Sequence, residues 1–205
     1  MTTPHVPPGR MGRLCLLSRL ELAERAVSLL EEKLRLLGER RDELHRRAED
    51  ACRDWCSACR EADSWGLRAV LSGGQRALRL AVPREQAAIT IEWAATAGVR
   101  YPDRAECTLP PHDSQTEIHI SAATVGARRA HRAAVVAAAQ CAAAESALAT
   151  IEREFRATRL RARALNKHWL PRLHDDLARV EMELEEQDRA EAIRLRLVQL
   201  GGGTA

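Results

Sequence analysis

The stretch LLSRLELAERAVSLLEEKLRLLGERRDEL, residues 16–44, decides the fold. Its apolar residues step alternately by four and three, through Leu16, Leu20, Ala23, Val27, Leu30, Leu34 and Leu37. Arg41 interrupts the series, and Leu44, Ala48, Ala51, Trp55, Ala58, Ala62, Trp65 and Ala69 resume it. A repeat of seven sustained that long matches a helix wound against a partner helix, with the series as the buried seam. At ~1.5 Å per residue such a helix runs roughly 80–90 Å. An ordinary helix has ~11 residues, so reach is expected to be part of the work.

Working outward, residues 1–10 carry Pro4, Pro7, Pro8 and Gly9 and read as an irregular lead-in. The first coiled-coil helix spans 11–82, with a break near Ser72-Gly73-Gly74 and a short piece resuming at Gln75 before Pro83. The centre, 83–120, changes character. Ala88–Trp93 and Glu117–Ile120 alternate and carry β-branched residues, while Gly98, Tyr101-Pro102-Asp103 and Pro110-Pro111 form turns, which predicts a small hairpin or irregular region. A second helix covers 121–200. Its seam keeps the three-four step from Leu148, Ile151 and Phe155 through Thr158 and Ala162 to Leu165. It then steps by four through Trp169, Leu173 and Leu177 before Val180 and Leu184 restore it. Such a shift unwinds a supercoil locally, and Pro171 within it removes a helix donor, so a bend is expected there. Gly201–Gly203 ends the helix and begins a flexible tail over 201–205. The fold class is therefore mainly α: a long antiparallel two-helix coiled coil with a short central hairpin.

Composition agrees. Aromatic residues are 3% of the 205, too few for a large globular core, and Ala and Leu supply most of the apolar fraction. The net charge of +3 is small, and acids interleave with bases, as on a solvated helix surface rather than a nucleic-acid stripe. Cysteines 15, 52, 56, 59, 107 and 141 lie in helical-looking segments with no legible signal peptide, so a reducing cytosol is expected. Ala133–Ala149 comes nearest to a membrane span but carries Gln140 and Glu145, and no direct span is expected.

The two ends carry a resemblance. Pro8-Gly9-Arg10-Met11, then Leu20-Glu21-Leu22-Ala23-Glu24-Arg25, Leu29-Leu30-Glu31-Glu32-Lys33 and Arg40–Leu44, resemble the amino-terminal signature of the D subunit of V-type and A-type ATPases. Ala164-Leu165, Pro171-Arg172-Leu173, Val180-Glu181-Met182 and Leu184-Glu185-Glu186 are similar to its carboxy-terminal elements. Gly98-Val99-Arg100-Tyr101-Pro102 resembles a central Gly-Val-Lys-Val-Pro element of bacterial members. Departures are Gly9 for threonine, Arg163 for asparagine, Asn166 for glutamate, and Ala192-Ile193 for an aromatic pair.

The resemblance implies a non-catalytic central-stalk rotor subunit without a cofactor. It would be cytoplasmic and peripheral to the membrane, coupling proton or sodium transport to ATP synthesis or hydrolysis. Implied partners are the A and B subunits of the catalytic head, the F subunit of the stalk, and the C/d-type adaptor on the membrane ring. Arg10, Met11, Leu22, Leu29, Leu36, Arg189 and Leu195 become candidates for head contact. Gly98, Val99, Tyr101 and Pro102 become candidates for stalk or foot contact. A stand-alone coiled-coil adaptor or nucleic-acid-binding helical arm is the alternative.

Other patterns carry less. Leu71-Ser72-Gly73-Gly74-Gln75-Arg76 spells an ABC-transporter signature loop, but no phosphate-cradling Gly-x-x-x-x-Gly-Lys-Ser/Thr accompanies it. Cys52, Cys56 and Cys59 at i, i+4 and i+7 could contribute to a metal site or simply pack beside a partner helix. Cys107, His112 and His119 fit no standard ligand spacing, and His168 and His174 read as surface groups. Arg41 could mark the register of the seam, or its stem could snorkel to solvent.

Overall fold

The computed structural model describes residues 7, 9–81, 85–110 and 121–201. It is 83% helical, so the fold is decided by how helices pair. Helix α1 is Arg10–Ala81, followed by strands β1 (Ala88–Thr96) and β2 (Val99–Thr108). Helix α2 is Ala122–Ala164, a π-helical turn covers Leu165–Trp169, and α3 is Leu170–Gly201. Two compact units form, one from Met1–Leu34 with Ala157–Ala205 and the other from Arg35–Arg156.

In the first unit the chain ends run antiparallel. Arg10 pairs with Asp188 at 3.8 Å, Arg13 with Glu181 at 2.8 Å, and Glu31 with Asn166 at 3.5 Å, so partners descend in one segment as they rise in the other. Leu16, Val27, Thr158, Ala162 and Leu173 are buried between them. The π-helical turn explains the shifted seam. The Leu170 N–H donates to the Leu165 carbonyl, five residues back rather than four. The half-buried seam therefore passes from Leu165 to Leu170 and on to buried Leu173, with Leu177, Val180 and Leu184 half-buried beyond. Trp169, expected in the seam, is instead 47% exposed, because the extra residue swings it outside. The cause lies just beyond the turn. Pro171 has no N–H, and its ring would crowd the Lys167 carbonyl in a regular α-turn, a conflict the wider turn relieves.

In the second unit α1 runs against α2. Leu37, Leu44, Ala48, Ala62 and Ala69 are buried, as the seven-residue seam requires. Arg41 lies over the Phe155 ring at 4.8 Å and hydrogen-bonds Asp42, so its stem packs while its head stays half open. Trp55 departs from the seam and is 40% exposed. It lies instead on a surface groove with Cys56, Cys59 and Arg60. Trp65 finds room because Gly126 stands opposite. A Cβ on Gly126 would lie 2.6 Å from the ring.

Gly74 carries a non-helical φ of 67° and ψ of 176° and kinks α1 where Ser72-Gly73-Gly74 suggested a break. Ser121 caps α2, its Oγ accepting the Thr124 N–H at 3.2 Å. The central hairpin is present, with its second strand in a different place from the sequence reading. Ala88–Trp93 is strand, but its partner is Val99–Thr108, the segment read as turns, joined through Ala97 and Gly98 at φ 49° and 80°. Glu117–Ile120 and His112 and His119 lie outside the described residues.

Within the helical stretch Ala122–Val198, an 18-residue window of mean hydropathy 1.5 is long and apolar enough to cross a membrane by length and composition. This revises the expectation that no stretch would reach that mark. Several alanines of α2 are spent on packing: Ala130 and Ala134 meet Ala62, and Ala139 and Ala143 meet Ala105 of β2.

Candidate partner-contact surfaces

The hairpin is locked to α1 through a β-bulge. Glu92 pairs with Arg104 and Trp93 with Pro102, leaving Asp103 as the extra residue of β2. Bulges re-aim side chains, and here the Asp103 carboxylate receives Arg40 Nη2 at 3.0 Å and Arg47 Nη1 at 2.9 Å. Arg47 also donates to the Asp103 carbonyl. Pro102 is tolerated because a bulge does not need its N–H for the ladder. Beside it, Tyr101 is 2% exposed, accepts from Arg40 Nε at 2.8 Å, and lies 3.1 Å from the Thr96 hydroxyl. Burial alone would lower the Arg40 pKa, but the hydrogen bond to Glu43 and the Tyr101 contacts outweigh it and raise it.

These contacts show where the foot-contact candidates lie. Tyr101 and Pro102 are buried, and half-buried Val99 packs with Tyr101 against Leu37, Leu44, Ala147 and Ile151. Of the four, Gly98 alone is exposed, as a turn residue. The open apolar surface lies elsewhere on the hairpin, at Ile89, Ile91 and Trp93, 57%, 45% and 52% exposed. Arg100 stacks over Trp93 at 4.8 Å. Sequence alternation marked Ile89, Ile91 and Trp93 as strand residues, but not that the helices leave them open.

In the first unit, exposed apolar residues gather toward the chain ends. Met11, Leu14, Leu22 and Leu29 are open on α1, and Met182, Ile193, Leu195, Leu197 and Val198 on α3. Singly exposed leucines are common on protein surfaces, and these residues of the first unit are candidates for partner contact. Leu22 and Leu29 are open, while Leu36 of the same seven-residue stripe is half-buried. Arg10 is exposed and pairs with Asp188 at 3.8 Å, and Arg189 pairs with Glu185 at 3.3 Å along its own helix. Such exposed pairs add little stability and leave both arginines available to a partner.

The remaining candidates separate. His168 and His174 are exposed. Ser72–Arg76 lies exposed around the Gly74 kink, and Ser72 hydrogen-bonds Ser121. Cys56 and Cys59 line a surface groove with Trp55 and Arg60, apart from Cys52. Cys52 instead faces α2, donating to Glu145 at 3.3 Å. Its thiol is pushed up to about 12, first by a hydrogen bond with Cys141 and then by burial and Glu145. A cleft lined by Arg47, Asp50, Asp54, Arg104 and Gln140 balances two arginines against two aspartates.

A family model for the ATP synthase D subunit matches residues 14–200, nearly the whole chain. The chain belongs to that family. Membership makes it a stalk subunit of a rotary ATPase, assembled in an ATP synthase complex peripheral to the membrane. The helix pair and the hairpin between its helices are the coiled-coil architecture expected of the family's central stalk. No curated protein matches the chain at a significant level.

Proposed function

We propose that this protein is the torque-bearing shaft of a bacterial V/A-type ATPase or ATP synthase and carries no catalytic chemistry of its own. It couples proton or sodium movement in a membrane ring to ATP synthesis or hydrolysis in a head of A and B subunits, on the cytoplasmic side. The observation that carries this reading is the family match over residues 14–200. Antiparallel pairing within each unit supports it physically, because two helices packed along a seam resist bending and twisting better than one. The head-contact surface is assigned to Arg10, Met11, Leu22, Leu29, Arg189 and Leu195 of the first unit, and Leu36, half-buried in the second unit, is a separate candidate. The stalk's F subunit and a C/d-type adaptor are the other partners, and the open hairpin face at Ile89, Ile91 and Trp93 is one place for such contact. An axle presenting different side chains to successive catalytic interfaces biases their conformations by differential contact.

The test is the Leu22→Ser/Leu29→Ser variant, both positions being solvent-exposed in the isolated chain. It should remain as helical as the parent by circular dichroism and lose co-purification with the A and B subunits. Undiminished head assembly would refute the assignment of that surface.

A further inference from the structure

We propose that Cys52 of α1 with Cys141 and Glu145 of α2 forms a binding site for one thiophilic divalent cation of the zinc type. Their ligand atoms all lie within 4.8 Å of one another, and no residue from outside the second unit is needed. Cys141 and Glu145 are one helical turn apart, so they present to a single face of α2. Cys52 reaches that face from the opposite helix. The geometry suits a tetrahedral ion. With metal–sulfur bonds of ~2.3 Å and metal–oxygen bonds of ~2.1 Å, neighbouring ligands sit roughly 3.5–3.8 Å apart. The present Cys52–Glu145 separation is 3.3 Å, so closure onto an ion requires only small side-chain rotations.

Cys52 of α1 and Cys141 of α2 meet across the helix pair. Cys141 is 2% exposed, Cys52 half-buried and Glu145 open, so the cluster runs from the helix interface to its rim. That gradient gives an ion an entry path and leaves a fourth position for water. Two thiolates and a carboxylate favour a soft or borderline ion over magnesium or calcium. On binding, each S–H bond breaks, its electron pair stays on sulfur to form the sulfur–metal bond, and two protons pass to buffer. No oxidant is required. The bound ion would clamp α1 to α2 in the second unit. Cys56 and Cys59, the other thiols of the same helix stretch, are directed to a different groove and do not belong to the site.

Titration of the reduced full-length protein with Co²⁺ alone tests this. One equivalent should produce a thiolate-to-cobalt charge-transfer absorption that Zn²⁺ abolishes by displacement. Cys52→Ser and Glu145→Gln, at half-buried and exposed positions, should each weaken Co²⁺ binding by about tenfold or more. Circular dichroism should show both still helical. Cys56→Ser/Cys59→Ser should bind as the parent does. The proposal is overturned if no such band forms. It is equally overturned if Cys52→Ser or Glu145→Gln leaves affinity unchanged, or if loss of Cys56 and Cys59 removes the band.

Discussion

Replacing Asp103 by alanine should release the hairpin from α1 without unfolding the helices. Its carboxylate accepts from Arg40 and Arg47 at 3.0 and 2.9 Å. A hydrogen bond between charged groups contributes ~1.5–3 kcal/mol when shielded from water. Here Asp103 is 33% exposed, Arg40 21% and Arg47 37%, so solvent screening reduces each contact toward ~1 kcal/mol. The pair then contributes about 2 kcal/mol to hairpin docking, equivalent to roughly thirtyfold in the opening equilibrium. Amide hydrogen exchange followed by mass spectrometry reads this directly, because local opening sets the exchange rate. Peptides covering β1 and β2 should exchange about thirtyfold faster in Asp103→Ala, while those covering Leu16–Val27 stay at the parent rate. Arg104→Ala, on an exposed residue of the same strand, is the control. Less than about threefold acceleration, or an equal effect from Arg104→Ala, would refute the assignment of the bulge as the docking device.

Gly126→Ala puts a methyl 2.6 Å from the Trp65 ring. The helix-propensity gain of ~1 kcal/mol is outweighed by an overpacking cost of ~1–3 kcal/mol, so the melting temperature should fall despite a better helix former. A rise would show that Trp65 moves freely. Deleting Lys167 restores an unbroken seven-residue seam but returns Pro171 to a regular α-turn, at a cost of ~3 kcal/mol. Adding Pro171→Ala to that deletion should recover most of the loss, and a neutral deletion by itself contradicts the cause assigned to the π-helical turn. Alkylation of the reduced protein near pH 8 should label exposed Cys56 before Cys52, whose thiol is held protonated, and before buried Cys141. Peptide mass mapping checks the order.

The helix pair was legible because a seven-residue repeat records burial directly in residue order. Leu16, Val27, Leu37 and Leu44 are where the spacing put them. The two failures within the seams are both tryptophans. Trp55 sits on an open groove beside Cys56, Cys59 and Arg60, which residue spacing alone does not reveal. Trp169 is displaced by a one-residue insertion that its four-residue steps recorded but did not locate. The second strand was missed because Tyr101-Pro102-Asp103 is made of turn formers, and the bulge that accommodates Pro102 and aims Asp103 depends on pairing with β1. For the same reason, sequence order did not single out Asp103, Arg40 and Arg47 as a cluster. The thiol spacing 52, 56 and 59 pointed to one helix flank, whereas the structure pairs Cys52 with Cys141 across two helices. The exposed leucines at the chain ends were partly legible as a second stripe, since Leu22 and Leu29 fall outside the seam.

The central claim is that the chain works as a stalk subunit inside a rotary ATPase and does no nucleotide chemistry alone. Affinity purification of the tagged chain from gently solubilised native membranes tests this most directly, with identification of the recovered subunits by mass spectrometry and ATPase assay of both the complex and the isolated chain. The account predicts recovery of the A, B and F subunits, ATP hydrolysis by the complex, and none by the isolated chain. Recovery of the chain without head subunits, or ATP turnover by the chain alone, would contradict it.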